Sequence, residues 1–123
     1  MARTELPVRQ RGESCELPVA TSAEWAQDRA GLLRAIADPT RLRMLACLVK
    51  ASAPVCVCDF TAAFGLSQPT ISHHMAKLRA AGLADSHKDG IWTYYRLGEG
   101  LSETVCALLA AALAGSPYLE ATD

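Results

Sequence analysis

The sequence predicts a mainly α fold with one small β-hairpin. Three observations carry this: apolar residues recur at helical spacing in several segments, capping residues open most of them, and an Asp-Gly pair divides an alternating run rich in Thr, Trp and Tyr. At 123 residues, the chain is the size of one domain. Half of its residues are hydrophobic and 20% charged, which supplies a core and argues against wholesale disorder.

Residues 1–20 show no period and hold Pro7, Gly12 and Pro18, so they read as a flexible extension carrying Cys15. Residues 21–115 are expected to form the folded domain and 116–123 a C-terminal tail. Thr21 with Glu24 three residues later reads as a capping box for a first helix that contains Trp25, Leu32, Leu33 and Ile36 and ends near Ala37. Asp38 before Pro39 opens a second helix with Leu42, Leu45 and Val49 in register. A short third helix runs from about Cys56 to Phe64 and stops at Gly65. Ser67 caps a fourth, which tolerates Pro69 in its first turn, repeats Ile71, Met75 and Leu78, and stops at Gly82.

Leu83 to Lys88, Asp89-Gly90 and Ile91 to Leu97 then make a hairpin, its Asp-Gly pair suited to a type I′ turn. The third and fourth helices form a helix-turn-helix, and the hairpin is its wing. A final helix from Leu101 to Ala114 carries a stripe of Leu101, Val105, Leu108, Leu109 and Ala112. Nothing remains in the sequence to pack against that stripe, so the expected fold is a homodimeric winged helix-turn-helix.

The longest apolar run, Val105 to Ala114, is about half of what a membrane crossing needs. Charges scattered through the first twenty residues do not fit a secretory signal, so a cytoplasmic protein is expected. Five cysteines without an export signal read as reduced thiols and not as a disulfide framework. The net charge of −1 gives no global case for nucleic acid, but Ser67 to Arg96 carries +2 with all three histidines, while Glu99 to Asp123 carries −4.

With Ile71, Met75 and Leu78 turned inward, the outer face of the fourth helix is Thr70, His73 and Lys77, flanked by Ser72 and Arg79. Gln68, Thr70, Ser72 and His73 suit base edges or phosphates, and Lys77, Arg79 and the wing's Lys88 suit phosphates. A symmetric dimer would set two such helices about 34–36 Å apart, which calls for an imperfect inverted repeat in double-stranded operator DNA. The plainer alternative is an amphipathic surface helix. The ordered conjunction of cap, polar face, glycine stop and hairpin argues against it.

The run Leu66-Ser67-Gln68-Pro69-Thr70-Ile71-Ser72-His73-His74-Met75-Ala76-Lys77-Leu78-Arg79 resembles the recognition helix of the ArsR/SmtB family of winged-helix repressors. Ala35 to Arg43 resembles the start of that family's second helix, and Trp92 to Arg96 its wing strand. The likeness runs from about residue 24 to 110 with the segments in family order. It implies a homodimeric repressor that leaves its operator when a metal or metalloid binds.

Val55-Cys56-Val57-Cys58-Asp59-Phe60 is similar to the arsenic-sensing members, which usually carry a further Cys three residues after the second; Thr61 stands there instead. The resemblance implies that the missing thiolate comes from elsewhere, and Cys15 on the N-terminal extension fits that role. Trivalent arsenic wants three thiolates, whereas structural zinc wants four ligands and usually a Cys-x-x-Cys clip. On an ideal helix Cys56 and Cys58 would lie about 200° apart, so sharing one ion requires a distorted or non-helical first turn, a conflict that could serve as a switch. A helix N-terminus is also expected to lower their pKa. The bland reading of the pair is two small buried residues.

Cys47 and Cys106 read as packing residues, His74 as a core-edge residue, and His87 as solvated or phosphate-facing. The family's acid-and-histidine site on the last helix has no counterpart, since residues 99–123 hold no histidine. The expected inducer is therefore As(III), with Sb(III) second and no organic cofactor. A cadmium-, lead- or thiol-redox-responsive repressor is the alternative. A thiol enzyme is disfavoured because no βαβ pattern surrounds Cys56, and a winged-helix protein-interaction module would lack salt-dependent DNA affinity.

Overall fold

A computed structural model describes residues 22–117. The order is α1 (Ala23–Ile36), α2 (Pro39–Lys50), β1 (Val55–Cys56), α3 (Val57–Phe64), α4 (Gln68–Ala80), β2 (Ala84–Asp89), β3 (Trp92–Leu97) and α5 (Glu103–Leu113). The strands form one antiparallel sheet in the order β1-β3-β2. No helix among the described residues is long and apolar enough to cross a membrane.

One core holds these elements together. Ile71, Met75 and Leu78 of α4 are fully buried with Met44 and Leu45 of α2, Phe60 of α3 and Leu83 at the base of the wing. Burying each such side chain contributes about 1.5–3 kcal/mol, so the apolar row of α4 fixes which of its faces remains outside. Tyr95 closes the core from the sheet, its ring edge-on to Phe60 with centroids 6.4 Å apart.

Caps set the helix starts. The Asp38 carboxylate accepts from Arg41 N at 2.9 Å, with Pro39 in the first turn of α2, and the Ser67 hydroxyl accepts from Thr70 N at 3.3 Å. At α1 the cap is Ser22, which accepts from Trp25 N at 3.0 Å; Thr21, the residue expected there, lies outside the described residues. α3 starts one residue later than expected because Cys56 is in extended conformation and pairs with Tyr94 as the end of β1.

The wing also departs from expectation at its tip. Asp89 pairs with Trp92, so the two-residue loop is Gly90-Ile91 and not Asp89-Gly90. Gly90 has φ +65° and no non-glycine residue has positive φ, which excludes a type I′ turn, where both loop residues need it. At the base of the wing Gly98 is obligatory for another reason: a Cβ there would sit 2.6 Å from the Gly82 carbonyl oxygen.

α5 begins at Glu103 under a Ser102 cap. Its apolar stripe was expected to lack any surface of its own chain, but Leu109 and Leu113 are buried in the core, with Leu101, Val105 and Leu108 partly covered against it. Ala112 is exposed.

The Asp38 cap yields a stability prediction. The Arg41 backbone hydrogen bond is the largest influence on its carboxyl and holds it below the ordinary value of 3.8. Its contribution is therefore fully present above that value and is lost as pH falls through the lower, folded value. Asp38→Ala should lose about 0.5–2 kcal/mol at neutral pH, measured by urea unfolding, and its deficit against wild type should shrink below about pH 4.

Candidate nucleic-acid interface and thiol site

The polar face of α4 is exposed because the opposite row is buried. Gln68, His73, Lys77 and Arg79 are open to solvent, as is Lys88 on β2. Thr70 is half-buried, and its hydroxyl lies 2.9 Å from that of Ser67, so it shares the cap as well as facing outward. Ser72 is half-buried as well. Lys77 and Arg79 occupy opposite flanks: Lys77 lines a groove with Asp28, Arg34 and Arg41 beside α1, while Arg79 lines a cleft with Asp85, Ser86 and Arg96 against the wing.

Arg41 ties this helix to the α1–α2 corner, a role the sequence reading missed. Its Nε donates to the Ala35 carbonyl at 2.7 Å and Nη2 to the Arg34 carbonyl at 3.3 Å, satisfying the C-terminal end of α1. Its Nη1 lies 3.1 Å from Nδ1 of His74 on α4. Guanidinium can only donate, so His74 Nδ1 is the acceptor, and Asp38 lies 3.7 Å from the same nitrogen. The signal available in the sequence was an arginine three residues after an Asp-Pro helix start, which by itself reads as a surface charge.

The thiol pair is assembled where strand gives way to helix. Cys56 is the N-cap of α3, with φ −68° and ψ 144°, and its sulfur accepts from Cys58 N at 3.4 Å. The Cys56 N–H in turn donates to the Asp59 carboxylate at 3.2 Å. Because Cys56 lies outside the helix, the expected separation of about 200° does not apply: the two sulfurs are 2.6 Å apart. No distortion of the first turn is needed to bring them together, so a switch does not reside in that strain.

Cys56 is buried and Cys58 exposed. The helix N-terminus does not win at Cys58: its thiol is pushed up from the usual value, chiefly by the hydrogen bond to Cys56, with desolvation and the charges of Cys56 and Asp59 adding to it. Tyr94, opposite Cys56 in the sheet, also has its hydroxyl pushed up, first by desolvation and then by the fields of Cys56, Asp89, Cys58 and Asp59. The sequence reading did not place Tyr94 here, since a two-residue strand leaves no periodic signal.

Thr61, one turn after Cys58, donates its hydroxyl to the Cys58 carbonyl at 2.9 Å. Cys15 lies outside the described residues. Cys47 is half-buried in α2, its thiol pushed up by burial against a smaller opposing effect of Arg43. Cys106 is exposed, contrary to a packing role, and its thiol lies 3.8 Å from the Leu101 carbonyl. Among the described residues no three His, Cys, Asp or Glu side chains converge as a complete metal site.

A reading helix held on a buried row, with a three-stranded wing beside it, defines a winged helix-turn-helix regulator. Residues 38–86 match the model of the bacterial regulatory proteins of the arsR family. The chain is 42% identical over 78 residues to the arsenic resistance transcriptional regulator ArsR1 of Pseudomonas putida, covering 63% of this chain and 60% of that protein. To the arsenic resistance transcriptional regulator ArsR2 of the same organism it is 36% identical over 89 residues, 72% of this chain and 76% of that one. Its fold is similar to NolR from Sinorhizobium fredii, with a TM-score of 0.63, 32% identity, and coverage of 82% of this chain and 94% of that one. The protein belongs to the arsR family, whose members are DNA-binding transcriptional regulators and not enzymes.

The environment of Cys58 gives a direct test. Under limiting iodoacetamide, mass spectrometry should find Cys58 alkylated well before Cys56 and Cys47. Its rate should still be climbing as pH passes the ordinary thiol value of 9.0.

Proposed function

We propose that this protein is a metalloid-responsive transcriptional repressor. A homodimer holds an inverted-repeat operator and releases it when trivalent arsenic is captured by the thiolates of Cys15, Cys56 and Cys58, trivalent antimony being taken by the same chemistry. The observation that carries this reading is the contact of the Cys56 and Cys58 sulfurs at 2.6 Å with one of them open to solvent. Two converging thiols fit a soft ion and are too few for a closed zinc site. The names of the two Pseudomonas relatives support arsenic as the effector. Cys15 is proposed as the third ligand because Thr61 stands where a local thiol would complete the set.

On the DNA side, Gln68, Thr70, Ser72 and His73 are assigned to base edges or phosphates near the start of α4. Lys77, Arg79 and Lys88 are assigned to phosphates, the first two on opposite flanks of the helix so that each serves a different stretch of backbone. The dimer surface is assigned to α1 and α5. Trp25 and Leu33 remain 50% and 45% exposed, and a groove of about 200 Å³ lined by Val49, Leu97, Leu101, Cys106 and Leu113 is almost wholly apolar.

A second reading, a thiol-redox regulator, draws on the same 2.6 Å contact. A peroxide-class oxidant could take two electrons and two protons from Cys56 and Cys58 to leave a disulfide. That switch would survive Cys15→Ser, whereas arsenic capture would not.

Fluorescence anisotropy on a duplex from upstream of the gene tests the proposal. Stoichiometric arsenite should release the reduced protein, and Cys15→Ser, Cys56→Ser and Cys58→Ser should each blunt release. Neutral arsenous acid and three thiols yield three waters and no net proton, so arsenite affinity should be flat between about pH 6 and 8. Cadmium must expel a proton per thiol, and its affinity should rise with pH. DNA bound but not released by arsenite would overturn the effector assignment.

Salt titrations separate phosphate contacts from the rest. Lys77→Ala, Arg79→Ala and Lys88→Ala should each lower the slope of log K against log salt by about 1, with little change in sequence preference.

A further inference from the structure

We propose that Tyr94 and His87 are positioning residues that relay the state of the Cys56–Cys58 pair to the wing. This rests on the effector-responsive reading above and adds residues to which that reading gives no role. The register of the sheet carries the argument. Cys56 on β1 is opposite Tyr94 on β3, and Tyr94 is opposite His87 on β2. Directly opposed residues share a face of the sheet, with Cβ atoms about 4.5–5.5 Å apart, so the three side chains form one row from the thiol pair into the wing.

The outer half of that row is in contact. The rings of Tyr94 and His87 are stacked, 5.5 Å between centroids and 15° from parallel. Lys88 follows His87 directly, and Trp92 lies two residues before Tyr94 on the same face. On the other face of the sheet, Val55, Tyr95 and Ser86 form the alternate row, where Tyr95 is buried against Phe60. The sheet is thus anchored on one side, and its half-exposed Tyr94 row is the side with room to move.

The competing route runs from α3 directly to α4. Val57 and Phe60 are buried, and Ile71, Met75 and Leu78 are completely enclosed. A close-packed interior tolerates little displacement, so motion along that path must break packing. β1 has only two residues, and Cys56 is at once its end, the cap of α3 and the neighbour of Tyr94. Drawing the Cys56 sulfur from its present contact with Cys58 toward a shared ion and a third donor therefore disturbs the surface on which Tyr94 rests. The stacked His87 carries that disturbance to the strand bearing Lys88.

The test compares wild type, His87→Ala and Tyr94→Leu in three measurements: arsenite affinity without DNA by calorimetry, operator affinity without arsenite by anisotropy, and operator affinity with saturating arsenite. Both variants should keep the first two within about threefold of wild type. The arsenite-induced loss of operator affinity should fall from about 100-fold to below about 10-fold. In a Trp25→Phe background, where Trp92 is the sole tryptophan, the arsenite-induced change in emission should vanish with either substitution.

Full release by both variants would overturn the relay while leaving the effector reading intact. So would arsenite affinity lowered more than about tenfold with an unchanged DNA coupling ratio, which would make Tyr94 part of the ion site. A wild-type protein that binds DNA and ignores arsenite would overturn the effector reading, and the relay with it. His87 is exposed, so His87→Ala decides the matter should Tyr94→Leu fail to fold.

Discussion

Burial of one row of α4 is the constraint on which the rest of the molecule depends. Ile71, Met75 and Leu78 are inaccessible to solvent and meet residues from α2, α3 and the base of the wing. That single contact sets which side chains of α4 face outward, where α3 lies, and how far the wing stands from the reading helix. Arg41 reinforces it from outside the core by joining two carbonyls of α1 to His74 of α4. The α1–α2 corner and α4 are therefore held both by packing and by charge-assisted hydrogen bonds, the stronger kind.

The thiol pair belongs to a different part of the architecture. It sits where β1 becomes α3, and both sulfurs are placed by the cap: Cys56 occupies the extended N-cap position and Cys58 lies two residues on, its amide directed at the Cys56 sulfur. An N-cap is ordinarily Ser, Thr, Asp or Asn. Cysteine there gives a weaker cap but leaves a sulfur at the helix start, where Asp59 supports the backbone in return. Local helix geometry and thiol placement are consequently one feature.

Much of this was legible in the sequence. Asp38-Pro39, Ser67 with its downstream Gly82, and the Ile71-Met75-Leu78 spacing specify α2 and α4 through local chemistry alone, and the structure places them there. The misreadings share one cause: contacts distant in the chain. Cys56 looked like a first helical residue because the pattern of α3 begins there, but pairing with Tyr94 makes it a strand residue. Asp89-Gly90 looked like the turn because that dipeptide favours one, but the inward side of Tyr95 sets the register and moves the loop to Gly90-Ile91. The α5 stripe looked partnerless, yet Leu109 and Leu113 reach the core. Tyr94 and Arg41 gave no warning, since neither an aromatic on a strand nor an arginine near a cap reveals its partner.

The two-residue strand β1 also bears on how the domain assembles. The β2–β3 hairpin closes over a tight loop, a local event, whereas Val55 must find Tyr95 across about forty positions of chain. The juxtaposition of Cys56 with Tyr94 is thus a product of long-range closure, and it can form only after the wing and the helical core are both in place. A nascent or unfolded chain carries the same five cysteines as separate thiols. Only the finished fold presents two of them as a single chelating group, so the capacity to sense is itself a report that folding is complete.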